Sequence, residues 1–383
     1  MTDAYPDANL IPRVLLAAGG TGGHVYPAIA IADAILRRWP WALVEFAGTQ
    51  IRMEWEAVPK AGYAIHPIRA VGFQRGRIAA NLAFPMVLAQ GMLDSLSLVR
   101  AYDPDVVIGA GGFVSGPVLF AAQLLGRPTV LQEQNAHAGV TNRLLSRRAD
   151  TVFIAFDAAR SFFKNRDIRL VGNPIRTSIQ RPPSKTEARA RLGIPEGAVV
   201  TLVLGGSGGS LVINQTVAAV AEEALRADQD RYIIWQTGPR YADQFATLDD
   251  MGGRLRVLSY LDDMPAYYAA ADVALARSGA LTCTELLATA TPAILVPSPN
   301  VAADHQTTNA RALEQVGAAI VVPEPKVSDE LLPALLSLLE NPQRRNALSA
   351  AAAAVEQVDA ADRIAERALD LALLRARGRA INV

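Results

Sequence analysis

A single cysteine, Cys283, stands among 383 residues. An internal disulfide is excluded, and a cysteine-built metal cluster with it. Histidine is nearly as scarce, with four scattered at positions 24, 66, 137 and 305, and none forms a set at metal-ligand spacing. Excess charge is missing too: Lys plus Arg and Asp plus Glu each number 37. No chain-wide field remains to gather nucleic acid. No apolar run approaches the ~20 residues of a spanning helix. The opening MTDAYPDANLIPRV lacks the basic and apolar regions of a secretory signal, which predicts a cytoplasmic protein. What is present is a 51% hydrophobic, 19% charged composition, that of a packed enzyme long enough for two cores.

The apolar residues come in short runs bounded by glycine, the pattern of buried parallel strands. Strands are predicted at Val14–Ala18, Leu43–Ala47, Val106–Ile108, Pro128–Gln132 and Thr151–Ala155. Helical periodicity fills Ala28–Arg38, a stretch from Gly116–Pro117, and Gly139–Leu145. The run GNPIRTSIQRPP, with three prolines, then breaks the rhythm at Gly172–Pro183. A second series opens with strand Val199–Leu204 and helix Val212–Arg226. Strands at Tyr232–Gln236, Leu255–Leu258, Val273–Ala276 and Ile294–Val296 follow, and Asp329–Arg377 reads as alanine- and leucine-rich helix. This alternation predicts an α/β protein of two Rossmann-like, doubly wound domains facing across a cleft. The boundary is expected at 172/173, giving domains 1–172 and 173–383, with the last helix a candidate to cross back onto the first domain.

Each series opens with strand, glycine turn and helix. Gly19-Gly20-Thr21-Gly22-Gly23-His24 is the first such turn. Its N–H groups suit an anion at a helix start, although it is neither a dinucleotide fingerprint nor a P-loop. A close-packed turn with no ligand is the plainer alternative. His24 stands where the helix dipole keeps an imidazole neutral, and a neutral imidazole can take a proton from a hydroxyl. Gly109-Ala110-Gly111-Gly112-Phe113 is a second turn in the same half. Two such turns suggest a pyrophosphate. Glu133-Gln134-Asn135 follows a strand end. Glu133 is a rival base, and Asn135 and Asn142 suit either sugar hydroxyls or capping.

In the second half, Gly205–Ser210 and Ser278–Thr282 repeat the strand-to-turn-to-helix arrangement. Ser207 and Thr282 suit phosphate oxygens, and Glu285 a ribose diol. A Thr282–Glu285 capping box accounts for that spacing equally well, but not for the preceding Arg277-Ser278-Gly279-Ala280. Gln306 and Asn309 share a helix face, one for a sugar and one to brace the loop.

Taken in order, GGTGGHVYPAIAIA, GAGGFVSGP, QEQNAHAGVTNRLL, GNPIR, GGSGGS, RSGALTCTEL and DHQTTNA resemble glycosyltransferase family 28, in particular its bacterial transferases that convert lipid I to lipid II. The resemblance runs from about Arg13 to the last helices. It implies the GT-B fold, with acceptor in the N-terminal half and donor in the C-terminal half. It implies inverting transfer of N-acetylglucosamine from UDP-N-acetylglucosamine to the 4-hydroxyl of the N-acetylmuramoyl residue of lipid I, without cofactor or metal. Thr21, Gly22 and Gly23, with the second turn, would hold the acceptor pyrophosphate. His24 would handle acceptor or proton, with Glu133 the rival. Asn135 would lie near the donor sugar, Arg176 and Ser207 at the donor diphosphate, and Leu261 would read the uracil edge through its backbone. Ala280, Leu281 and Thr282 would contact sugar and phosphates, Glu285 the ribose, and Gln306 the N-acetylglucosamine hydroxyls. Relatives often carry two adjacent glutamines where this chain has His305 before Gln306.

The resemblance also implies a peripheral protein at the cytoplasmic face of the inner membrane, with lipid I, an anionic lipid surface and other cell-wall synthesis proteins as partners. Ile68–Leu98 fits such a surface: Phe73, Leu82, Phe84, Met86, Val87 and Leu88 lie near Arg69, Arg75 and Arg77. An ordinary buried helix beside a solvated basic loop is the alternative. Rival functions are another GT-B enzyme on a different acceptor, a UDP-N-acetylglucosamine epimerase, or a non-catalytic nucleotide-sugar binder.

Overall fold

The computed structural model describes residues 10–72, 82–248, 250–301, 304–355 and 359–381. The chain forms two compact units, 1–176 with 358–383, and 177–357. Residues 173–176 thus fall in the first unit, as does the terminal helix.

The first unit carries β1 (Arg13–Ala17), β2 (Leu43–Gly48), β3 (Ala64–Pro67), β4 (Val106–Gly109), β5 (Thr129–Glu133), β6 (Thr151–Ile154) and β7 (Ile168–Leu170). All pair in parallel, in the order β3-β2-β1-β4-β5-β6-β7. β4, β5 and β6 are buried along their whole length, which is why they read as unbroken apolar runs rather than alternating ones. The helices are α1 (Gly22–Arg38), α2 (Glu54–Lys60), α3 (Phe84–Tyr102), α4 (Ser115–Leu124) and α5 (Val140–Leu145). The second unit contains α6 (Thr177–Gln180), α7 (Lys185–Leu192), β8 (Val199–Leu204), α8 (Leu211–Arg226), β9 (Arg231–Gln236), α9 (Ala242–Phe245) and β10 (Leu255–Leu258). It continues with α10 (Met264–Ala270), β11 (Val273–Ala276), α11 (Ala280–Ala288), β12 (Ala293–Leu295), α12 (His305–Gln315), β13 (Ala319–Val321), α13 (Val327–Leu339) and α14 (Pro342–Ala354). Its strand order is β10-β9-β8-β11-β12-β13, again parallel.

The last helix, α15 (Ala360–Ile381), packs on the first unit. Ala361, Ile364, Ala365, Ala368 and Ala372 join the core that holds Ile31 and Ile35 of α1. Small side chains at helical spacing let the two backbones approach closely. Arg37 and Arg38 then meet Asp362 at 3.3 and 3.4 Å on the rim.

α3 departs from the ordinary buried helix. Among its residues only Gly91, Ser95 and Val99 are buried. A side chain at Gly91 would strike the Arg69 carbonyl. The helix therefore lies on a stripe of small residues flanked by Leu96 and Leu98, and turns other large apolar ones outward. Met86 and Leu93 are each 66% exposed.

Candidate active site

In each sheet the order reverses beside the first strand, at β1/β4 and at β8/β11. Ligands of doubly wound sheets bind outside the carboxyl ends of the strands at such a point. The four glycine-containing turns noted in the sequence follow these four strands.

In the first unit, Thr21 caps α1 in an extended conformation without a side-chain hydrogen bond, so the backbone alone shapes the helix entry. Gly22 and Gly23 open the helix, where N–H groups have no intrahelical acceptor. The neighbouring turn packs directly behind: Gly112 has φ +83°, and a Cβ there would lie 2.1 Å from the Gly19 carbonyl oxygen. Only glycine meets both demands. Ser115 locks the pair, its hydroxyl lying 2.7 Å from the carbonyls of both Ala17 and Gly111 and sharing its one proton between them.

His24 lies in the first turn of α1 and keeps part of its surface open. Its Nδ1 is 3.2 Å from Gln134 Oε1. Burial pushes the imidazole below its ordinary pKa of 6.5, against the opposing pull of Glu133, Gln134, the Ala110 backbone and Glu54. At neutral pH the ring is thus mainly unprotonated, and burial is the cause, where the sequence pointed to the helix dipole.

Glu133 is buried, and its carboxylate is fully engaged. Oε1 accepts from the Asn135 backbone N–H at 3.1 Å and its Nδ2 at 3.3 Å. Oε2 accepts from the Gly139 N–H at 3.1 Å and Asn142 Nδ2 at 2.8 Å. The polar cluster legible in the sequence therefore comes together, with Asn135 and Asn142 turned to Glu133. Arg176 rests its guanidinium over the Tyr26 ring, 4.5 Å from the centroid, and its buried Nε has no hydrogen-bond partner.

The same unit bears an apolar groove of about 1030 Å³, lined among others by Phe84, Leu88, Phe113, Phe120, Val140 and Leu144, with Arg147 and Arg148 at its rim. Of the cations expected here, Arg75 and Arg77 lie outside the described residues, as does Phe73. Arg69 is neutralised by a two-pronged pair with Asp94, at 2.8 and 2.5 Å, which holds that carboxyl below its usual range.

In the second unit the Gly205–Ser210 turn leaves Ser207 exposed. Gln236 ties this turn to the next: its Nε2 donates to the Gly206 carbonyl at 3.1 Å and its Oε1 accepts the Leu261 N–H at 3.1 Å. Gly279 caps α11 from an extended conformation, and no side chain caps that end. The Thr282–Glu285 capping box does not form. Thr282 lies inside α11, with Ala280 and Leu281 as the first helical residues. Glu285, buried, instead accepts from the Tyr268 hydroxyl at 2.9 Å. Gln306 accepts the Ser298 N–H at 2.9 Å, and its carbonyl takes the Ser278 hydroxyl at 2.8 Å. Asn309 is the brace of the pair, donating to the Ser278 carbonyl at 3.1 Å.

Arg277 was not singled out from the sequence. It is 11% exposed and pairs with Glu324. It donates to Ser210 Oγ at 3.0 Å and to the Val296 carbonyl at 3.1 Å. With Gly205, Gly209, Ser298 and Gln306 it lines a polar pocket of about 310 Å³. The signal was the Arg-Ser-Gly-Ala turn itself, which a capping box leaves unexplained. Glu54 was missed as well. Fully buried, it accepts from the Gly20 N–H at 3.0 Å, the Thr49 N–H at 3.1 Å and the Thr49 hydroxyl at 2.5 Å.

Comparison with known proteins places these features in a family. The glycosyltransferase family 28 N-terminal domain matches residues 14–154, and the C-terminal domain of that family matches residues 200–364. The UDP-N-acetylglucosamine--N-acetylmuramyl-(pentapeptide) pyrophosphoryl-undecaprenol N-acetylglucosamine transferase of Salinibacter ruber is 50% identical over 361 residues, 94% of this chain and 97% of that protein. The protein of the same name from Bacteroides fragilis is 39% identical over 364 residues, 94% of this chain and 96% of its own length. The crystal structure of Acinetobacter baumannii MurG superposes with a TM-score of 0.71 at 29% identity, covering 94% of this chain and 99% of that one. A putative UDP-N-acetylglucosamine 2-epimerase from Listeria monocytogenes, at 14% identity and a TM-score of 0.65, shares the fold alone. With both family domains present in order, in two doubly wound units of the GT-B class, the chain belongs to glycosyltransferase family 28.

Proposed function

We propose that this chain transfers N-acetylglucosamine from UDP-N-acetylglucosamine to the 4-hydroxyl of the N-acetylmuramoyl residue of lipid I, giving lipid II with inversion at the anomeric carbon. The relatives' activity supports the reaction. The single observation that carries the chemistry is His24: a neutral imidazole at a helix start, beside two glycine turns. In the transfer, the acceptor hydroxyl gives its proton to His24 and its oxygen bonds to the anomeric carbon. The bond from that carbon to the donor diphosphate breaks, and UDP leaves with the electron pair. Thr21, Gly22 and Gly23 hold the acceptor pyrophosphate. Glu133, its oxygens occupied, organises the loop instead of taking the proton. Charge growing on the leaving diphosphate is met by Ser207, Arg176 and the start of α11 at Ala280–Thr282. Glu285 takes the ribose, Gln306 the sugar hydroxyls, and Leu261 the uracil through its carbonyl. Asn135 stands near the donor sugar.

The test is transfer of labelled sugar from the UDP donor to a short-chain lipid I analogue across pH. Wild type is expected to make disaccharide, with an acid limb in kcat/KM below 6.5. The direction follows from the lowered His24 pKa: activity is retained until pH falls through the folded value, where the ring protonates and loses its lone pair. His24→Ala should bind UDP normally and lose about a hundredfold or more in turnover. A fully active His24→Ala enzyme would remove His24 from the chemistry.

The exposed groove on the first unit is read as the lipid-facing surface. Its apolar walls and the two rim arginines match an anionic bilayer. Leu88→Asp with Leu144→Asp, both at exposed positions, should leave turnover on the short-chain analogue unchanged and abolish co-sedimentation with anionic vesicles. Retained vesicle binding would assign the membrane contact elsewhere.

A further inference from the structure

Beside His24 lies a buried amide that the transfer reaction has not yet used. Gln134 is 3% exposed. Its Nε2 donates to the Ala110 carbonyl at 2.5 Å, and its Oε1 faces His24 Nδ1 at 3.2 Å. A backbone carbonyl only accepts, so the NH2 of the amide must point to Ala110 and the oxygen to the imidazole. That oxygen in turn only accepts. The contact is therefore a hydrogen bond only when Nδ1 carries the proton. A neutral imidazole has one proton, which leaves the lone pair on Nε2.

We propose that Gln134 is a positioning residue that fixes His24 as the Nδ1–H tautomer and so presents Nε2 as the proton-accepting nitrogen. Gly111 supplies independent support. It has φ +95°, and a Cβ there would lie 2.3 Å from His24 Nδ1 and 3.0 Å from Gln134 Oε1. The second glycine turn is thus bare where the imidazole and amide meet. Gln134 is itself anchored, since its carbonyl accepts from Asn173 Nδ2 at 3.2 Å.

The choice of amide over carboxylate has a consequence for pH. The groups acting on the ring are Glu133 from β5, Glu54 from α2, Gln134 and the Ala110 carbonyl. A neutral amide orients the ring while adding no third negative charge. The imidazole stays unprotonated to lower pH than it would opposite a carboxylate. The use of Nε2 as base rests on the role assigned to His24 above; the tautomer assignment does not.

The experiment is long-range proton–nitrogen NMR of enzyme labelled with nitrogen-15 histidine. Only four histidines need assignment, and His24→Ala identifies the signal. Wild type should show a protonated Nδ1 and a bare Nε2. Gln134→Met should lose that preference and reduce kcat by about tenfold, less than the loss of the base itself, with the donor KM unchanged. Gln134→Glu should keep a protonated Nδ1 and move the acid limb of kcat/KM to higher pH. A bare Nδ1 in wild type overturns the proposal, as does an unchanged tautomer in Gln134→Met. A tautomer that responds as expected while kcat does not would uphold the positioning role and overturn His24 as the base.

Discussion

The two units share a topology but brace their ligand-facing turns with different groups: carboxylates take backbone N–H groups in the first, and donors to carbonyls prevail in the second. In the first unit two buried carboxylates brace as acceptors, beside Ser115 and Gln134, which donate to the carbonyls of Ala17, Gly111 and Ala110. Glu54 takes the N–H groups of Gly20 and Thr49, and Glu133 takes those of Asn135 and Gly139. In the second unit the braces are mainly donors. Arg277 donates to Val296, Gln236 to Gly206, Asn309 to Ser278 and Ser278 to Gln306, each time to a carbonyl. The Leu261 and Ser298 amides, held by Gln236 and Gln306, are the exceptions. Every buried backbone group needs a partner, so the sense of the brace decides which end of a peptide remains for a ligand. Bracing carbonyls favours an anion, as a nucleoside diphosphate requires. Bracing amides with carboxylates instead surrounds His24 with negative charge that favours an imidazolium once it forms.

The sharpest way to break this contrast is to remove the most engaged acceptor. Glu133→Ala would strand four donors from Asn135, Gly139 and Asn142. With four hydrogen bonds to a charged group at stake and Asn142 Nδ2 left buried without its acceptor, the first unit should lose about 3 kcal/mol. Denaturant unfolding of the full chain measures this, while calorimetry with UDP should show unchanged affinity, because Ser207, Leu261, Ala280–Thr282 and Glu285 belong to the second unit and Arg176 rests on Tyr26 rather than on Glu133. A stability loss below about 1 kcal/mol would mean that water or loop relaxation replaces the carboxylate. An equal loss of UDP affinity would deny the two braces their independence.

Much of the architecture was legible because the sheets are parallel and buried. β8, β10 and β11 occupy the predicted residues, and β1, β4 and β5 lie within a residue of prediction. The short strands β3, β7 and β13 were not, since three or four residues at a sheet edge, half-exposed in β3 and β7, carry little periodicity. The continuous helical reading of Asp329–Arg377 breaks into parts of three helices, the first break falling where Asn341 caps α14 at Pro342. Among site residues, those adjacent to a glycine turn, such as His24 and Ser207, were readable from the turn. Glu54 was not named, and Gln134 was named with its neighbours but given no role, because their partners lie 34 and 110 residues away in the chain. Apolar residues of α3 were hard to assign for a different reason: hydrophobicity does not say which face a small-residue stripe will bury.

A smaller effect is expected from removing the central donor of the second unit. Arg277→Met keeps the length of the side chain and its packing but deletes the bonds to Ser210 and Val296 and leaves Glu324 without its cation. The pair is mostly but not fully buried, so the cost should reach about 2 kcal/mol, with much of it arising from the stranded carboxylate. Arg277→Met with Glu324→Gln should then recover about half of the stability. UDP affinity is the separate readout. If Arg277 shapes the turn that holds the diphosphate, both the single and the double variant should bind UDP about tenfold more weakly, because neither restores the bonds to Ser210 and Val296. Full recovery of UDP affinity in the double variant would show that the uncompensated Glu324 charge, and not the lost brace, had weakened binding. The donor-type bracing of the second unit would then be a feature of its stability and not of its ligand.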